Sequence, residues 1–194
     1  MNRYISLGIA QLTGVATAFS FVVGLAGRAN GEIRLVAVTS QNHSFLSAEG
    51  GGGGQVHANR PAQGPWEVFS ISSNRADCGG DCGPLKSGDH VCISTNNNHF
   101  LVAESGGGRE VNASRTQCGP WETFQIFLLG PTPGGLFPVD GLIPATGTPP
   151  VAFRAQNGSW VTAEGGGGGD VNANRPALGD WERWSLFEDN LHSQ

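Results

Sequence analysis

The sequence predicts an all-β fold made of three copies of one small four-stranded unit. Three observations predict it. One stretch of 20 residues is written three times: AEGGGGGQVHANRPAQGPWE from Ala48 to Glu67, AESGGGREVNASRTQCGPWE from Ala103 to Glu122, and AEGGGGGDVNANRPALGDWE from Ala163 to Glu182. The copies align without a gap, with 17 positions from Glu49 to Trp66, from Glu104 to Trp121 and from Glu164 to Trp181. The flanking segments alternate apolar and polar residues, and none keeps a helical period over about ten residues. Finally, apolar positions exchange in kind: Phe45 for Phe100 and Trp160, Phe69 for Phe124 and Trp184, Ile71 for Ile126 and Leu186. Swaps of that sort keep volume and apolarity, as a shared core layer requires.

In the first copy, Ile33 to Val38 is β-branched and alternating, which predicts a strand. Ser40 to Ser44 is a turn, in which Asn42 is expected to take a left-handed φ, with Asn97 and Asn157 in the other copies. Phe45 to Glu49 is a second short strand. The glycines from Gly50 to Gly54 make a tight connection in which positive φ is allowed. Val56 to Arg60 alternates again, with Val56 and Ala58 inward. Pro61 to Pro65 turns the chain, and Trp66 to Ile71 is the fourth strand. The expected core contacts are Phe45, Trp66 and Phe69, their counterparts Phe100, Trp121 and Phe124, and Trp160, Trp181 and Trp184.

A unit this small cannot bury its own apolar face, so the three must close around a common axis. A threefold closed β structure with repeats of this size is a β-trefoil. The repeats run over about 31–73, 86–129 and 148–188, within a domain spanning 30–190. Two insertions separate them, 72–87 and 129–150. The second holds PTPGGLFPVDGLIPATGTPP. Both are expected to be surface loops, and proline argues against a strand in the second.

Residues 1–29 stand apart. Tyr4 to Gly27 carries no charge and is rich in apolar residues, with Arg3 before it and small residues at its end. It is expected to be a cleaved export signal or an uncleaved membrane anchor, placing the repeats outside the cell or on the outer side of a membrane. Cysteine use agrees with export: Cys78, Cys82, Cys92 and Cys118 are even in number. Four thiols allow three connectivities, and nearness in sequence favours 78–82 with 92–118. The spacing of the cysteines does not suit a zinc site, and neither a metal nor a cofactor is expected. The formal net charge is −5. That excludes the basic face a nucleic-acid backbone calls for.

At AEGGGGGxVxANRPxxGxWExF the repeats resemble the fascin-like β-trefoil family. That family shows an aromatic residue, then Leu, Ala-Glu, a glycine-rich turn, Arg and a Trp-Glu strand. The likeness covers about residues 33–188. It implies the trefoil fold. Eukaryotic fascins chain several such domains and bundle actin, whereas single exported copies are similar to trefoils of secreted bacterial proteins for which carbohydrate binding is presumed. This chain departs from the actin bundlers in having one trefoil, an export segment and acidic charge.

The repeated polar residues are the candidate site. Glu49, Glu104 and Glu164 recur with Arg60, Arg115 and Arg175 on neighbouring strands, where each pair can meet. Such a pair either clamps the hairpin or offers charge-assisted hydrogen bonds to sugar hydroxyls. Glu67, Glu122 and Glu182, with Asn59 and Asn174, either satisfy turn amides or line a groove. Threefold repetition spreads each carboxylate over three places, while a catalytic centre needs one. The five histidines share no repeat position. A non-catalytic module that binds glycans is therefore expected, with a fascin-like protein-interaction role as the alternative.

Overall fold

The computed structural model describes residues 32–74, 83–132, 135–144 and 147–188. The N-terminal apolar segment, Cys78, Cys82 and the end of the chain after Glu188 lie outside the described residues. The first repeat holds β1 (Glu32–Thr39), β2 (Phe45–Ala48), β3 (Val56–Arg60) and β4 (Val68–Ser73). The second holds β5 (Asp89–Thr95), β6 (Phe100–Ala103), β7 (Val111–Arg115) and β8 (Thr123–Thr132). An added strand, β9 (Gly135–Val139), precedes the third repeat, which holds β10 (Gly147–Arg154), β11 (Trp160–Ala163), β12 (Gly169–Arg175) and β13 (Trp184–Glu188).

The outer strands of the repeats close into a ring of six. β1 pairs β4, β4 pairs β5, β5 pairs β8, β8 pairs β10, β10 pairs β13, and β13 returns to β1, every pair antiparallel. Closure leaves the ring no open edge. The inner strands form three hairpins, β2–β3, β6–β7 and β11–β12. One apolar core runs through the ring and under the hairpins. It takes Val36, Phe69, Val91, Phe124, Val151 and Trp184 from the ring, and Leu46, Leu101 and Val161 from the hairpins.

Several expectations are corrected. Trp66, Trp121 and Trp181 are not core residues; each is more than 40% exposed (43%, 43% and 42%). The fourth strand starts two residues later than the alternation suggested, at Val68. Pro65–Glu67 is a single 3₁₀ turn, and its tighter winding sends Trp66 outward and Glu67 inward. Phe45 and Phe100 are half-buried. Trp160 is buried, but in a side cluster with Leu129 and Ala152 rather than in the barrel. Phe69, Phe124 and Trp184 are buried as expected.

The left-handed turn residue is the one after each asparagine: His43 (φ 65), Asn98 (φ 64) and Gly158 (φ 88). The asparagine side chains instead accept hydrogen bonds within the turn. Asn42 Oδ1 takes the Ser40 hydroxyl at 2.9 Å, and Asn157 Oδ1 takes the Ser159 N–H at 2.9 Å.

The insertions also do more than loop. Gly135–Val139 pairs with the far end of β8 despite Pro131 and Pro138. Among the described residues β9 is paired on one side only, and β8 beyond Leu128 pairs only with β9, so proline is tolerated in both. Leu85 and Ile143, one from each insertion, are buried in the main core, and Ile143 N–H donates to the Leu85 carbonyl at 2.8 Å. Cys92 and Cys118 form a disulfide, as an oxidising compartment allows. Among the described residues no helix is long and apolar enough to cross a membrane.

Candidate functional site

The repeated Glu and Arg residues come together three times, as chains of three charges. Arg60 Nη2 donates to Glu49 at 2.8 Å, and Arg60 Nε lies 3.9 Å from Glu67 Oε1. In the second repeat Arg115 reaches Glu104 at 3.3 Å and Glu122 at 3.6 Å. In the third, Arg175 reaches Glu164 at 2.6 Å and Glu182 at 4.0 Å. Arg60 stands opposite Phe45, at the end of the hairpin away from the glycine turn, while Glu49 follows Ala48 at the turn end, so the backbone register puts the two on adjoining strands but not opposite one another.

The two carboxylates of each chain differ. Glu67, Glu122 and Glu182 are buried, at 4%, 7% and 4% exposure. Each accepts an N–H of its own turn: Gly64 at 2.7 Å, Gly119 at 2.9 Å and Gly179 at 2.7 Å. A buried carboxylate needs such donors, because a bare one would stay uncharged. These three residues hold the turn that carries the tryptophan. Glu49, Glu104 and Glu164 are half-exposed and stay open to solvent on one side. Asn59 is exposed. Asn174 is half-buried, and its Oδ1 is buried with no hydrogen-bond partner among the described residues.

Two further residues join the outer carboxylates. Asn112 Nδ2 donates to Glu104 Oε1 at 3.2 Å and Asn172 Nδ2 to Glu164 Oε1 at 2.9 Å. In the first repeat the same position is His57, which turns to Asp170 of the third repeat instead, at 3.1 Å.

Each exposed tryptophan lies at a junction with the next repeat. A Cβ added to Gly106 would sit 3.0 Å from Gln156 Oε1 and 3.2 Å from Trp121 Cδ1. The same test at Gly51 meets Asn96 and Trp66, and at Gly166 it meets Gln41 and Trp181. Three times, then, an indole, a glycine turn and an amide from the following repeat share one surface. Arg175 extends the third such surface, its guanidinium carbon 5.9 Å from the Trp181 ring centre. The sequence reasoning missed Gln41, Asn96 and Gln156. Their recurrence as amides just before the turn asparagines was the signal that could have found them. Among the described residues no group of three or more His, Cys, Asp or Glu side chains could hold a metal ion.

Comparison with solved structures supports the fold. A designed 3-fold symmetric protein, ThreeFoil, aligns with a TM-score of 0.57 at 12% identity, over 82% of this chain and 99% of that one. The SDF2-like protein from Arabidopsis thaliana aligns at 0.60 and 10% identity, over 82% and 94%. A Caenorhabditis elegans protein of unknown function aligns at 0.58 and 15% identity, over 84% and 99%. No protein-family model and no curated protein sequence matches the chain. At these identities the likeness speaks to fold alone, and the chain is an all-β protein of β-trefoil-like architecture.

Proposed function

We propose that this protein is an exported β-trefoil of the fascin-like kind that binds glycans without transforming them, using its three tryptophan surfaces. One observation carries the reading. Trp66, Trp121 and Trp181 occupy the same repeat position, and each leaves more than 40% of its surface in solvent. A large exposed aromatic residue is informative where a buried one is not. An indole face packs well against the apolar face of a sugar ring, while its neighbours stay free to hydrogen-bond. Gln41, Asn96 and Gln156 supply amides beside the three indoles, and the half-exposed Glu and Arg residues lie on the adjoining hairpins. Three shallow sites favour a polymeric or clustered ligand, since linked sites gain avidity that one site lacks.

The role of the inner carboxylates changes with this geometry. Glu67, Glu122 and Glu182 act as scaffold, and the outer pairs Glu49–Arg60, Glu104–Arg115 and Glu164–Arg175 form the rim of the sites. The export reading draws on the apolar N-terminal segment and the disulfide. The fascin-like assignment draws on the repeated motif.

A glycan array tests the function. The intact chain is expected to bind a subset of oligosaccharides, and Trp66→Ala, Trp121→Ala and Trp181→Ala combined are expected to abolish binding while the circular dichroism spectrum is kept. Unchanged binding by a folded triple variant would contradict the reading.

A further inference from the structure

We propose that the cleft between the second and third repeats is the principal pocket, and that it takes the carboxylate of a uronate-type acidic saccharide. The proposal rests on the glycan reading above and names its sugar class. The cleft has a volume of about 250 Å³, and its polar lining is His90, Thr123, Gln125, Arg154 and Gln156.

Arg154 is its distinctive member. It ends β10, where its Nε donates to the Gly158 carbonyl at 2.8 Å and its guanidinium carbon lies 5.5 Å from the Trp160 ring centre. These contacts hold the guanidinium in place without neutralising it. Among the described residues, Arg60, Arg109, Arg115, Arg175 and Arg183 each have a carboxylate within 4.0 Å, and Arg154 has none. A held, half-buried cation without a counter-ion, in a chain of net charge −5, marks a place for an incoming anion. The planar fork of arginine fits a carboxylate in two parallel hydrogen bonds.

The rest of the lining suits a sugar that carries such a group. Gln125 and Gln156 are uncharged amides able to meet hydroxyls, and Gln156 adjoins the exposed Trp121 at Gly106. Fork, amides and indole therefore share one junction. The other two junctions have no unpaired cation at these positions: those of Arg154 are Thr39 and Ser94 in the other copies, those of Gln125 are Ser70 and Ser185, and Arg183, at the position of Thr123 in the third copy, is paired with Asp180 at 2.7 Å. The threefold plan supplies the platform, and this single departure from it supplies the charge selectivity.

Isothermal titration calorimetry of the intact chain provides the test, with tetragalacturonate, its fully methyl-esterified form and a sulfated neutral oligosaccharide as probes. The acid is expected to bind about tenfold or more tighter than the ester, the scale of a charge-assisted pair. Arg154→Gln is expected to bring the acid down to the ester's affinity and to leave the ester unchanged. Arg154→Lys, which keeps the charge and loses the fork, is expected to fall between, and it covers the case in which the glutamine variant does not fold. Equal binding of acid and ester, indifferent to both variants, would overturn the pocket while leaving the glycan reading standing. Sulfated sugar binding as tightly as the acid would overturn the carboxylate class. Binding of none of the three probes would overturn the pocket, and the glycan array would then decide the glycan reading separately.

Discussion

Trp66 and Glu67 are neighbours in the chain, and the fold sends them in opposite directions. The glutamate is buried and holds its turn; the tryptophan stands in solvent. Polarity alone predicts the reverse. Strand alternation from Trp66 puts the indole inside, and only the intervening 3₁₀ turn inverts it. What decides the matter is the Gly64 N–H, which needs an acceptor, and Glu67 supplies it at 2.7 Å. Glu67→Ala strands that donor, at a cost of about 1–3 kcal/mol. At this chain length that corresponds to a fall in Tm of roughly 2–12 °C by calorimetry. Glu49→Ala, at the half-exposed end of the same chain of charges, is expected to cost under about 1 kcal/mol, because solvent screens that pair. Equal losses for the two variants would contradict the division into scaffold and rim. The meeting of Glu49 with Arg60 was legible from spacing. The burial of Glu67 was not, because it depends on a turn type that residue pattern does not signal.

At the scale of the element, the glycine run is a device for close approach between repeats as much as a turn. Gly107 has φ 124, and a Cβ there would overlap the Asn157 side chain of the next repeat. Gly167 meets Asn42 and Ser40 in the same way. Gly165, by contrast, has φ 68 and nothing near a Cβ, and its counterpart in the second copy is already Ser105 at φ 62. Gly107→Ala is therefore expected to cost at least about 1–3 kcal/mol in strain alone, while Gly165→Ser is expected to be near neutral by thermal unfolding. The disulfide belongs to this scale too. Cys92 on β5 and Cys118 before β8 enclose a separation of 26 residues. Replacing both by serine is expected to lower stability by about 2–4 kcal/mol, read by urea unfolding. The first three strands of each copy were legible because alternation and glycine bound them. The insertions were not. Their prolines suggested loops, whereas Leu85 and Ile143 enter the core through contacts far apart in sequence.

For the whole molecule, stability lies in closure. Each ring strand pairs with a strand of its own repeat and one of another, so no repeat is complete alone. Unfolding is expected to be a single transition, with the far-UV and tryptophan signals coincident, and a chain cut after the second repeat is expected not to fold. The threefold plan was legible from the repeated stretch itself; the unequal junctions were not, since Arg154 gains meaning only when the fold sets it beside Gln125 and Gln156. The most direct measurement of the central claim is the set of tryptophan indole N–H signals in a ¹H–¹⁵N spectrum, followed during titration with tetragalacturonate. The signals of Trp66, Trp121 and Trp181 are expected to move, Trp121 first. That of Trp184, buried with its Nε1 bonded to the Val161 carbonyl at 3.1 Å, is expected to stay. Saturated binding with the three exposed indoles unmoved would contradict the account.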